Sequence, residues 1–193
     1  KKMVLTTFSS ALISELDIVL LGLFYSGSTL GVLAWARRIL EIIFQLVAAS
    51  LDILFPELAK AKNRDSISEL RIKLRKVFLL SFTVPILFIF FKGLASEIFT
   101  SLLGEEFSEV STYTSWILFA LPVMVWSRIN IIFSRALNFE INITKSILFG
   151  SVASIGIYYF VHSFNNNPAV VSIILSQIVI GAITTYSFKK SYE

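Results

Sequence analysis

The chain has 193 residues, 55% of them hydrophobic and 16% charged. Its mean hydropathy of +0.78 is above that of ordinary soluble domains. There is no cysteine, which excludes disulfides and thiolate metal sites. The net charge of +4 does not point to nucleic acid, because the basic residues sit mainly in loops between apolar runs.

A bilayer core takes about 20 mostly apolar residues per helix. Six segments approach that pattern: 3–25, 30–55, 75–92, 110–135, 143–163 and 168–188. The expected fold class is all-α: a polytopic membrane bundle of six transmembrane helices spanning 1–193. The first segment carries Glu15 and Asp17 near its middle, and the second carries Arg37, Arg38 and Glu41. Residues 57–76 are too charged to be embedded and read as a cytoplasmic amphipathic connector. Ser66 and Glu69 form a capping box there, followed by Ile67, Leu70, Leu74 and Val77 at helical spacing. An acidic outer loop follows the third segment, with Gly104 supplying a turn. The fourth segment holds Arg128, and Pro122 is expected to kink it. The last two carry small residues, among them Gly150, Ser154, Ser176 and Gly181, which suit close packing. The absence of Met at position 1 and of a secretory signal pattern suggests part of a longer protein.

Basic and non-basic connections alternate along the chain. Lys1 and Lys2, the run from Lys60 to Lys76, then Arg135 and Lys145, and finally Lys189 and Lys190 fall on one side. The positive-inside rule then makes both termini cytoplasmic.

Each charge buried at membrane depth costs roughly 2.5–3.5 kcal/mol on insertion scales, so such groups pair, snorkel or line a wet cavity. Arg37, Glu41, Gln45, Ala48 and Asp52 recur at helical spacing and share one face. Arg37 or Arg38 can pair with Glu41. At about 1.5 Å per residue, Asp17 and Arg38 lie at similar depths, each roughly 4–8 Å outward of its helix centre. An arginine-lined cavity favours an anionic solute, above all a phosphate or pyrophosphate. The purely structural alternative is a salt-bridge network that fixes helix positions. His162, just before an outer turn, reads as a surface residue.

No P-loop, H-E-x-x-H, G-x-S-x-G or metal-ligand cluster occurs, so neither an enzyme nor a cofactor or metal is expected.

The runs Glu15–Phe24, Gly31–Ile39 and Leu54–Ala59, followed by Leu103-Gly104-Glu105-Glu106-Phe107, together resemble the second half of bacterial O-antigen-type polysaccharide flippases. These belong to the multidrug/oligosaccharidyl-lipid/polysaccharide exporter superfamily. The resemblance implies a transporter of two six-helix bundles in the bacterial inner membrane, with an amino-terminal half as partner. Its substrate would be an oligosaccharide on a polyprenyl pyrophosphate, used in cell-surface polysaccharide or lipopolysaccharide synthesis and moved by alternating access. Arg37, Arg38, Arg128 and Gln45 are then candidates for binding that substrate. Asp17, Glu41 and Glu15 would balance the arginines or bind a coupling ion. The alternatives are a cation-coupled drug exporter, which clustered arginines disfavour, and a non-transporting membrane scaffold.

Overall fold

The computed structural model describes residues 18–25, 27–60, 64–136, 140–162 and 168–192. Among the described residues there is no strand. Helix α1 covers residues 18–24. It is followed by α2 (Gly27–Asp52), α3 (Phe55–Lys60), α4 (Arg64–Ser81), α5 (Thr83–Phe90) and α6 (Lys92–Leu103). A 3₁₀ turn at Glu105–Phe107 leads into α7 (Val110–Ile117), a second at Leu118–Ala120 into α8 (Leu121–Ala136), and then come α9 (Glu140–His162) and α10 (Pro168–Tyr192).

Three of the four prolines mark breaks in the helices. A proline lacks the N–H that would bond the carbonyl four residues back, and its ring crowds that carbonyl. Four residues before Pro56 is Asp52, where α2 stops. Four before Pro85 is Ser81, where α4 stops. Four before Pro122 is Leu118, where the helix tightens to 3₁₀. At Pro122, where a kink is expected, the helix tightens to 3₁₀ while Glu105–Ala136 runs on as one span. Pro168 occupies the first turn of α10, where its missing N–H has no helical partner to lose. Hydroxyls near the second break satisfy carbonyls locally: Ser81 Oγ donates to Phe78 O and Thr83 Oγ1 to Leu80 O.

Three stretches are long and apolar enough to cross a membrane: Gly27–Leu58, Glu105–Ala136 and Ala169–Tyr186. A fourth forms if Ile72–Phe90 and Lys92–Leu103, bent by 68°, make one broken span. The six expected spans are thus not all recovered among the described residues. Most of segment 3–25 lies outside them. Segment 143–163 lies on α9, among whose described residues the apolar run is the shorter Leu148–His162. Residues 92–103, expected as part of an outer loop, form helix α6. The break before it, at Phe91, has no proline; Phe91 adopts φ −95°, ψ 8° in the bridge region. Gly104 ends α6 with φ 102° and ψ 166°, a conformation nearly exclusive to glycine, as the expected turn requires. The capping box is corrected: α4 starts at Arg64, so Ser66 already lies inside the helix. The apolar spacing held, since Leu70 and Leu74 are both buried.

Helix α8 is the centre of the bundle. Of the span Glu105–Ala136, 72% of the apolar window is buried, against 44% for Ala169–Tyr186 and 17% for Gly27–Leu58. Around α8 pack α2, α3, α4, α9 and α10. One end of the bundle collects Phe24, stacked on His162 at 4.2 Å between ring centroids, and Tyr25, hydrogen-bonded by the Ala169 backbone. Gly31 is also near this end, where a β-carbon would lie 3.6 Å from the Phe107 ring. The glycines at 31 and 104 and Phe107 are thus brought to one place.

In lipid there is little hydrophobic drive between helices, so close approach and hydrogen bonds hold them. Both occur between α8 and α10. A β-carbon on Gly181 would stand 2.9 Å from Val123 Cγ1 and 3.2 Å from Ser127 Oγ. One turn on, Thr185 Oγ1 accepts from Trp126 Nε1 and Asn130 Nδ2, both at 2.9 Å, and donates to Gly181 O at 2.7 Å. Between α9 and α10, Gly150 admits Ile180, whose Cγ1 would be 3.0 Å from an added β-carbon. The small residues expected to mediate packing do so at these two positions.

Two outcomes follow for stability. Gly181→Ala presses on the β-branched Val123, which cannot swing away cheaply, and should cost about 1–3 kcal/mol. Thr185→Val strips the acceptor from two side chains and should cost about 1–3 kcal/mol per donor left buried without a partner. Thermal unfolding in detergent or nanodiscs measures both, and an unchanged Tm in either variant contradicts this account of the contact.

Candidate functional site

Helix α2 carries most of the polar groups expected to function. Consecutive residues on a helix diverge by about 100°. Arg37 and Arg38 therefore part company: Arg37 is buried, whereas the Arg38 side chain is 57% exposed. Arg37 lies on the inward face with Leu33, Ala36 and Leu40, which pack against α7 and α8.

Arg38 Nη1 donates to Glu41 Oε2 at 2.8 Å. Gln45 Nε2 donates to Glu41 Oε1 at 3.4 Å, a long bond. Glu41 thus joins Arg38 and Gln45 along one side of the helix, and of the two expected pairings Arg38–Glu41 is the one formed. The stripe Arg37, Glu41, Gln45, Ala48 and Asp52 proves to straddle a boundary. Its members Arg37, Glu41 and Ala48 are buried, while Gln45 and Asp52 are exposed. The uncovered face is instead Trp35, Arg38, Ile42, Gln45, Ala49 and Asp52, recurring every three or four residues.

Arg128 belongs to a second place. Its Nη2 donates to Asp52 Oδ2 at 2.5 Å, an ion pair that ties α8 to the end of α2. Its Nε is buried with no hydrogen-bond partner among the described residues. Asp52 stands 14 residues after Arg38, about 21 Å along the axis at 1.5 Å per residue. Arg37, Arg38 and Arg128 therefore do not form one cluster. Glu15 and Asp17 lie outside the described residues. The spacing of the α2 stripe does not reveal this pairing, because a partner 76 positions away leaves no local periodic signal. Trp126 and Thr185 were missed too, although an indole N–H inside an apolar span always calls for an acceptor.

A separate apolar groove of ≈ 690 Å³ opens between α4–α5, α8 and α10. Its lining contains no charged side chain. Trp126 lines it, and two positions along α8, about 200° around the axis, Arg128 faces α2 instead. Among the described residues no group of three His, Asp or Glu side chains is placed to hold a metal ion.

No curated protein and no solved structure matches the chain. A family model described as polysaccharide biosynthesis protein matches residues 1–112. The match takes in every run that carried the resemblance, from Glu15 to Phe107, and all of α2 with its polar side. Arg128 and the α8–α10 contact lie beyond it. An all-helical apolar chain with long candidate spans, matched over more than half its length, belongs to the polysaccharide biosynthesis protein family.

Proposed function

We propose that the protein is a membrane transporter of a lipid-linked oligosaccharide, a repeat unit on polyprenyl pyrophosphate, in the bacterial inner membrane. It forms a six-helix bundle with both termini cytoplasmic, the second half of a twelve-or-more-helix flippase. The amino-terminal half of the same transporter supplies the facing wall. The observation that carries this reading is the uncovered side of α2. A helix of membrane-crossing length leaves Arg38 and Gln45 exposed along one face, with Glu41 bridging them, when only 17% of its apolar window is covered. Ionisable groups at such depth default to a functional role.

The chemistry fits an anionic group. Arg38 has a planar fork of donors, and the Glu41 carboxylate engages one of its nitrogens, Nη1. A pyrophosphate or acidic sugar bonds the remaining donors, and Glu41 shifts toward Gln45. Arg37, held inside the bundle, acts as a positioning residue. In alternating access the two bundles rock about the cavity. The Arg128–Asp52 bridge, about 21 Å away along α2, closes α8 onto α2 in one of the two states. A scaffold reading, in which both ion pairs only brace helices, draws on the same pairings, so activity must be scored per folded molecule.

Removing a charge-assisted hydrogen bond to the substrate is worth about 1.5–3 kcal/mol, so Arg38→Gln should lower flipping about 10–100-fold, with Arg38→Lys between it and the parent. Flipping of a fluorescent lipid-linked oligosaccharide in proteoliposomes reads this. Full activity in Arg38→Gln sinks the assignment and leaves the brace. For the second pair, Asp52→Asn and Arg128→Gln should each slow transport. The exchange Asp52→Arg with Arg128→Asp should restore part of it; no rescue by the exchange removes the gating role.

A further inference from the structure

The apolar groove between α4–α5, α8 and α10 is not used by the transport reading, and it is polar at one end only. Phe78 and Phe82 on α4–α5, Phe119 and Val123 on the α8 side, and Ile178 on α10 form its walls. Its volume of ≈ 690 Å³ lies within the ~300–1,000 Å³ typical of ligand pockets. The Trp126 indole is fixed at one end by its bond to Thr185 and its contact with Phe78 at 5.2 Å between ring centroids. Arg75 lies one turn beyond that end. It precedes Phe78 by three positions and Phe82 by seven, so the three share a face of the α4–α5 rod, and Arg75 is exposed. At the opposite end, where Phe119 stands, the nearest basic residue on the α4–α5 side is Lys92, ten positions beyond Phe82.

We propose that this groove holds one acyl chain of an anionic phospholipid, with the headgroup phosphate at Arg75 and the chain running past Trp126 toward Phe119. The occupant follows from the pairing of an uncharged aromatic slot with a cationic mouth. A zwitterionic lipid satisfies the slot but gains less at the mouth, and a soluble anion gains nothing from the slot. One basic residue near a membrane surface contributes about a fivefold preference for an anionic lipid.

Trp126 lines the groove and reports its contents. In a variant carrying Trp35→Phe and Trp116→Phe it is the sole tryptophan. That protein is placed in phosphatidylcholine vesicles containing a small fraction of acyl-brominated phosphatidylglycerol or, separately, the same fraction of brominated phosphatidylcholine. Quenching should require about fivefold less phosphatidylglycerol. Arg75→Gln should equalise the two lipids, and Ala182→Phe, which fills the slot, should abolish the preference while leaving general quenching by bulk lipid. Equal quenching by both lipids in the open groove overturns the proposal whether or not the variants fold. So does a preference that survives Ala182→Phe. Displacement of quenching by a polyprenyl phosphate, with no difference between the two phospholipids, assigns the groove to a prenyl chain instead and equally overturns it. Transport by Arg38 variants is a separate readout, so failure here leaves the proposed function standing.

Discussion

Lipid offers no hydrogen bonds, so each polar group that these helices carry into apolar surroundings must be answered from within the protein. The backbone meets that demand by being helical nearly everywhere it is described. Some of the exceptions fall where a proline removes a donor. There the chain responds in three ways: it ends a helix at Asp52, it turns hydroxyls onto carbonyls around Ser81, and it tightens to 3₁₀ at Leu118. Several side chains obey the same rule, although Arg128 Nε and the hydroxyls of Thr114, Ser127 and Ser134 are buried without a hydrogen-bond partner among the described residues. Ser154, Ser176 and Thr184 return their hydroxyls to carbonyls of their own helices, at 2.8–2.9 Å. Thr185 goes further, closing two donors from a neighbouring helix and one acceptor of its own.

This demand makes α8 the element through which the others are joined. On one side it offers Trp126 and Asn130 to Thr185, and meets the bare backbone at Gly181. On another it sends Arg128 to Asp52. The first contact is short and sterically tight, with no room for a methyl group. The second is an ion pair whose members are 22% and 47% exposed, so water can replace either partner. The two contacts differ in how cheaply they break. Relative movement in this bundle is therefore easier between α8 and α2 than between α8 and α10, and the polar, uncovered helix is the one held by the looser contact.

Much of the architecture was legible because it rests on short-range periodicity. The spacing of Leu70 and Leu74 told which side of α4 turns inward, and glycine at 150, 181 and 104 told where backbones approach or reverse. What was illegible depends on contacts that periodicity does not encode. The helix Lys92–Leu103 was hidden because its serines and Glu97 look like loop, and the break at Phe91 carries no proline. The polar stripe of α2 was read as one face, yet the packing of α7 and α8 decides where on that stripe the boundary falls. Arg37 and Arg38 differ by one position and end on opposite sides of it. The Asp52–Arg128 pair, across 76 residues, could be inferred only as a requirement that each charge find some partner.

That requirement bears on whether the charges of α2 bind or brace. A brace gains most when both partners are enclosed and fully bonded, because an open ion pair contributes little, typically 0–1 kcal/mol. Arg38 with Glu41 does not have that form. The arginine is more than half exposed, and the second bond of Glu41, to Gln45, is stretched to 3.4 Å. As a brace it spans one turn of a single helix and connects no two elements. Asp52 with Arg128 connects two helices and fits a structural or gating part. Arg37 is enclosed and fits a positioning part. Among the three arginines, Arg38 is the one that is exposed and whose ion pair joins no two helices. The proposed contact with an anionic substrate rests on that open side.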